Sequence, residues 1–165
     1  MLIPDPQTNI LSLADAVKWR QTLREAGKKL VITNGCFDLV HRGHASYLRQ
    51  AAEYGDELLV LINSDASVRQ LKGETRPLVS ELDRGYLLCS LKVVSKVVIF
   101  DSQRCDRELA ALTPDIYVKA GDYTLETLDP AERNALINSN TKIIFAPFVS
   151  GFSTTNIVKK IKKSL

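Results

Sequence analysis

Five short apolar runs constrain the fold of this 165-residue chain more than any other feature. They are Lys29–Thr33, Leu58–Asn63, Val97–Phe100, Ile116–Lys119 and Ile143–Ala146, and they alternate with segments of helical pattern. Ser12–Ala26 opens on a Ser12/Asp15 capping box and stops at Gly27. His44–Tyr54, Asp65–Leu71, a stretch from the Ser80 cap to about Leu91, Asp106–Leu112 and Thr154–Lys163 follow, the last with Ser153 as N-cap. Strands that alternate with helices predict an α/β fold: one doubly wound, Rossmann-like domain with a mostly parallel five-stranded sheet. The domain is expected over residues 29–165, preceded by an extension over 1–28 that carries one helix. Residues 1–10, with two prolines, read as an irregular leader. Ligands of such sheets bind at the carboxyl ends of strands where strand order reverses. Chemistry is therefore expected just after Thr33, Asn63, Phe100, Lys119 and Ala146.

Composition narrows the class. Apolar residues make up 45% and charged residues 25%, the balance of a soluble globular chain. A net charge of +3 is too small an excess to argue for nucleic acid, and none is expected as a partner. It suits a local basic site for anionic ligands. Lys159, Lys160, Lys162 and Lys163 form the one dense basic run, read as a solvated helix face first and a polyanion contact second. No apolar run is long enough to span a bilayer, so no membrane role is expected. The opening Met-Leu-Ile-Pro-Asp has neither a basic n-region nor a long h-region, so no secretory signal is expected. Cys36, Cys89 and Cys105 are widely spaced and suggest neither a disulfide framework nor a zinc site, which makes the cytoplasm the expected compartment.

The segment Thr33-Asn-Gly-Cys-Phe-Asp-Leu-Val-His-Arg-Gly-His44 joins the first expected strand to a helix and holds both histidines of the protein. A helix start offers free N–H groups and the positive end of its dipole, which together bind anions. Gly35 permits a tight turn and Gly43 lets a phosphate come close to the backbone. His41 and His44 at that terminus can hydrogen-bond phosphate oxygens and stabilise charge on a phosphorus under attack. A metal site is the weaker reading, because only Asp38 and Cys36 lie near in sequence; no resident metal ligand is expected.

The Gly-x-Phe-Asp-x-x-His-x-Gly-His pattern resembles the nucleotidyltransferase superfamily marked by that histidine motif. The resemblance continues through Asn63–Pro77, through Val118-Lys-Ala-Gly-Asp-Tyr123 and through Gly151–Ile161. Together these stretches resemble the adenylyltransferase domain of bacterial ADP-heptose synthases, a domain often fused to a sugar kinase. The resemblance implies transfer of a nucleoside monophosphate, AMP from ATP, to a heptose 1-phosphate (D-glycero-D-manno) with release of pyrophosphate and with Mg²⁺ bridging the phosphates. It implies catalytic roles for His41, His44 and Lys72. It implies nucleotide contacts from Asn34, Gly35, Cys36, Phe37, Gly43, Lys119, Gly121, Asp122, Ser153, Thr154 and Thr155. Asp38, Arg76 and Arg84 fall on the acceptor side. Partners are then small molecules, an NTP and a sugar phosphate; related proteins often form homodimers, but the sequence carries no interface signature.

Some of these positions also have plain structural readings. Ser153–Thr155 is also a helix cap, Asp122 a turn residue, and Arg84 one half of a surface ion pair with a nearby Asp or Glu. Trp19 reads as packing. The chain departs from the pattern at Ser95, at Gln103-Arg104-Cys105, at Ala120 and across Leu128–Leu136. Two alternatives stay open: a cytidylyltransferase for a polyol phosphate such as glycerol 3-phosphate, and a nucleotide-binding module without catalysis.

Overall fold

A computed structural model describes residues 4–147 and 154–164. After a short 3-10 turn the elements are β1 (Ile10–Leu11), α1 (Leu13–Glu25), β2 (Leu30–Gly35), α2 (Arg42–Ala52), β3 (Glu57–Asn63) and α3 (Asp65–Lys72). They continue with α4 (Glu81–Cys89), β4 (Lys96–Phe100), α5 (Asp106–Leu112), β5 (Ile116–Ala120), α6 (Pro130–Asn138), β6 (Lys142–Ala146) and α7 (Thr154–Ser164). All the strand pairs are parallel, in the order β1-β4-β3-β2-β5-β6.

The α/β, doubly wound expectation holds, with six strands in place of five. The added strand is Ile10–Leu11, which lies on the sheet edge with Ile10 opposite Val97. Two residues are too few to show any periodicity. Helix α6 was also not anticipated. Asp129 caps it by accepting from the Ala131 and Glu132 N–H groups, and Pro130 fills its first turn. The start signal is there, but only Glu132 and Leu136 of the helix are buried, so no apolar stripe announces it.

The strands are apolar on both sides, as a covered parallel sheet requires. Along β3, Leu58, Val60 and Ile62 join one core with Tyr47, Leu48 and Ala51 of α2 and Leu88 of α4. Leu59 and Leu61 join the opposite core with Ala16 and Leu23 of α1, Leu109 and Leu112 of α5 and Leu136 of α6. Trp19 packs against this second core, as its packing role predicts. No helix among the described residues is long and apolar enough to cross a membrane. Lys159, Lys160 and Lys163 are exposed on α7, the solvated face the sequence suggests.

Strand order reverses beside β2. From β2 the chain proceeds outward through β3 to β4, then returns to β5 on the other side and on to β6. A crevice must open between the carboxyl ends of β2 and β5, where the connecting segments diverge.

Candidate active site

A cavity of about 430 Å³ occupies that crevice. Asn34, Gly35, Cys36, Phe37, Asp38, His41, Gly43 and His44 line it from the β2–α2 side. Lys119 comes from β5, Lys72 from the end of α3, and Thr154 and Thr155 from the start of α7. Twelve of the residues singled out in the sequence thus meet in one place. Tyr47, Ala120 and Tyr123 line it as well and were not singled out. Tyr47 follows His44 by three positions on a helix, the spacing that places two side chains on one face.

The β2–α2 turn is built for close packing. Phe37 takes a left-handed φ of 47°. A Cβ on Gly35 would come within 3.0 Å of the Phe37 ring, so glycine there lets the ring fold back over the turn. Helix α2 starts two residues earlier than its apolar pattern suggests, and His41 is its N-cap. The His41 Nδ1 accepts from the Gly43 N–H at 3.1 Å. That bond requires a lone pair on Nδ1 and leaves Nε2 to carry the proton of the neutral ring.

His41 and His44 stack with centroids 3.9 Å apart and planes 18° apart, and Phe37 leans on His44 at 5.1 Å. Burial lowers the pKa of His41. Burial and then the neighbouring His41 push His44 down to about 4 from 6.5; a Leu39 backbone hydrogen bond opposes them, and Lys72 adds a smaller push in the same downward direction. The unliganded pair is therefore neutral at pH 7. His44 Nδ1 is buried without a hydrogen-bond partner among the described residues.

Asp38 is 3% exposed. It accepts from Arg76 Nη1 at 2.6 Å and from the Leu78 and Val79 N–H groups at 2.6 and 3.1 Å. Burial alone would raise its pKa; the Arg76 bond and the two N–H groups outweigh that and hold it below the usual carboxylate value. Arg76 is therefore tethered behind Asp38 and is not part of the lining. Arg84 stands further off. Its side chain is fully buried and its donors go to the Val79, Cys36 and Asn63 carbonyls and to Asp65 Oδ1. Arg84 does pair with a carboxylate, Asp65, but in the interior and not on the surface, and it pins the carboxyl ends of β2 and β3.

On the opposite wall, Gly121 takes φ 115° and its N–H bonds the Ala146 carbonyl at 3.0 Å. Ala120 pairs with Ala146 as an ordinary strand residue, so the alanine departure costs the turn nothing. Gly121 and Asp122 follow the lining residues without joining them, and Asp122 is exposed. Ser153 lies outside the described residues. The other departures meet each other: Arg104 Nε donates to Asp129 Oδ2 at 2.9 Å and the Cys105 N–H to Glu132 at 3.2 Å. Ser95 bonds the Leu58 N–H at the far end of β3.

The cavity joins two lysines, two neutral imidazoles and the N-termini of α2 and α7. Such a set of donors fits phosphate oxygens. Among the described residues no group of three or more His, Cys, Asp or Glu is placed to hold a metal ion. The carboxylate that lines the cavity, Asp38, is spent on Arg76, Leu78 and Val79, so these residues do not fit a resident cation.

Comparison with known proteins bears on this site. The cytidylyltransferase-like family model matches residues 32–160. The bifunctional protein HldE of Geotalea uraniireducens is 46% identical over 154 residues, which is 93% of this chain. HldE of a Helicobacter pylori strain is 42% identical over 164 residues, 99% of this chain. The chain spans about a third of these relatives, 30% and 33% of their lengths. A lipopolysaccharide core biosynthesis protein from Thermoplasma volcanium, known from its crystal structure, aligns with a TM-score of 0.63 at 29% identity, over 75% of this chain and 100% of that one. The matched stretch runs from β2, through both walls of the cavity, into α7, and the chain belongs to the cytidylyltransferase-like family of nucleotidyltransferases.

Proposed function

We propose that this chain is an adenylyltransferase that moves AMP from ATP to a heptose 1-phosphate and releases pyrophosphate. The observation that carries the proposal is the stacked, neutral His41–His44 pair at the N-terminus of α2, facing the start of α7 across a cavity at the reversal of strand order. The Asn63–Pro77 and Lys119–Tyr123 stretches and the HldE relatives support the heptose acceptor.

An oxygen of the acceptor phosphate attacks the α-phosphorus of ATP in line. The bond from that phosphorus to the β-phosphate bridging oxygen breaks, and pyrophosphate leaves. The acceptor phosphate is already ionised at neutral pH, so no strong base is required. Catalysis rests on position and on charge stabilisation. His44, with Nδ1 buried, turns Nε2 to the α-phosphate and donates as charge builds on its oxygens. His41 contacts the polyphosphate, Lys72 the transferred phosphate, and the α7 start at Thr154 and Thr155 the leaving pyrophosphate. Asp38 and Arg76 shape the acceptor side by fixing the loop before α4. Magnesium enters as part of the Mg·ATP substrate, on the phosphate oxygens.

The test is pyrophosphate release with Mg²⁺, heptose 1-phosphate or glycerol 3-phosphate as acceptor and each of the four NTPs, with His44→Ala beside the wild type. Release with ATP, lost in the variant, is the expected result. Release with CTP and glycerol 3-phosphate instead would replace both substrates, and silence with every NTP would remove the reaction.

A further inference from the structure

Lys119 lines the cavity, yet its ammonium is engaged on the protein side. It donates to Asn34 Oδ1 at 2.8 Å and to the Tyr117 hydroxyl at 3.2 Å, and it stands 3.7 Å from Glu132 Oε2. Glu132 is 3% exposed and reaches in from α6. Its other oxygen accepts from the Cys105 N–H at 3.2 Å and from the Cys105 thiol at 3.3 Å. Asn34 Oδ1 accepts a second time, from the Tyr117 hydroxyl at 2.8 Å.

An ammonium can only donate. The carboxamide oxygen of Asn34 must therefore face Lys119, because a flipped amide would set NH₂ against NH₃⁺. The orientation of Asn34 is thus decided by where Lys119 sits, and a buried carboxylate on another helix decides that. Removing one member of a buried charge pair displaces the other.

We propose that Glu132 is a positioning residue for the nucleotide. Through Lys119 it locks the Asn34 carboxamide with its oxygen inward and its NH₂ toward the cavity, so the ligand must present a hydrogen-bond acceptor at that point. This rests on the reading of the cavity as the nucleotide site.

The experiment measures kcat, KM for ATP and Tm for the wild type, Glu132→Gln, Lys119→Met, the double variant and Asn34→Asp. Gln keeps the acceptor for the Cys105 N–H, removes the charge beside Lys119 and turns an NH₂ toward the ammonium in place of Oε2. Glu132→Gln is expected to raise KM about tenfold, far more than it lowers kcat. Lys119→Met is expected to raise KM by a similar factor, and the double variant no further, since Glu132 acts only through Lys119. Asn34→Asp retains an acceptor for Lys119 and Tyr117 but turns an acceptor on the ligand, and KM should rise roughly a hundredfold. Glu132→Asp, which restores the charge, should recover part of the loss. A Glu132→Gln protein with wild-type KM and a lowered Tm would overturn the proposal, as would additive effects in the double variant. If the wild type itself neither binds nor turns over ATP, the nucleotide reading fails and this proposal fails with it; that outcome is seen before any variant is made.

Discussion

The two walls of the cavity are held in different ways. The β2–α2 wall is set by contacts close in sequence: Gly35 under Phe37, Phe37 on His44, and His41 capping its own helix through the Gly43 N–H. The β5 wall is set at a distance, by Glu132 on Lys119 and Lys119 on Asn34. Tyr47 joins the two, with its hydroxyl 2.6 Å from Thr33 Oγ1 on β2 and donating to the Val118 carbonyl on β5 at 2.9 Å. A wall made locally can be recognised as a motif, whereas one made through space reaches the sequence only as scattered charges.

Breaking what lies beneath the first wall should have the largest effect. Arg84→Met leaves Asp65 unpaired and three carbonyls without their donor, which should cost about 3–5 kcal/mol of stability in urea unfolding. If Arg84 instead served the acceptor, KM for the sugar phosphate would rise with stability intact. Within the wall, Gly35→Ala presses a Cβ on the Phe37 ring, which itself rests on His44. A strain of about 1–3 kcal/mol is expected, read as a fall in kcat that exceeds the change in Tm. Unchanged kcat would mean that the ring has room to move.

Uncoupling the two walls is milder. Tyr47→Phe removes one donor to a buried carbonyl, worth about 1–3 kcal/mol in denaturant unfolding. If Tyr47 did not bridge the walls, the phenylalanine would be silent. The remaining effect is a pH dependence confined to the first wall. His44 is pushed down to about 4 from 6.5, so the unfolded chain takes up the proton first as pH falls. Stability is complete above about 6.5 and should decline between 6.5 and about 4, a slope that His44→Ala flattens in thermal melts. The lowered pKa of Asp38 works at more acidic pH: its contribution is present above the carboxylate's unfolded value and is lost as pH falls through the folded one.

The same contrast explains what the sequence made legible. Strand–helix alternation and the capping serines gave the sheet and most helices their places, because each signal lies within one element. The turn from Asn34 to His44 carried its own phosphate-site logic. Ile10–Leu11 was too short to read, and α6 hid because it buries little beyond Glu132 and Leu136. Arg84 was placed on the acceptor side by resemblance, and nothing in its neighbours in sequence reveals that four acceptors wait for it below the turn. Glu132 was invisible as a partner of Lys119 because thirteen positions and the loop from β5 to α6 separate them.

The central claim is that the stacked histidine pair stabilises charge on the α-phosphorus during nucleotidyl transfer. It is tested most directly by single-turnover transfer of label from [α-³²P]ATP to heptose 1-phosphate in wild type and His44→Ala at saturating Mg·ATP. The expected result is labelled sugar nucleotide in the wild type and a rate roughly 10²–10³ lower in the variant, the scale of losing one charge-stabilising donor. Transfer at the wild-type rate in His44→Ala would contradict it.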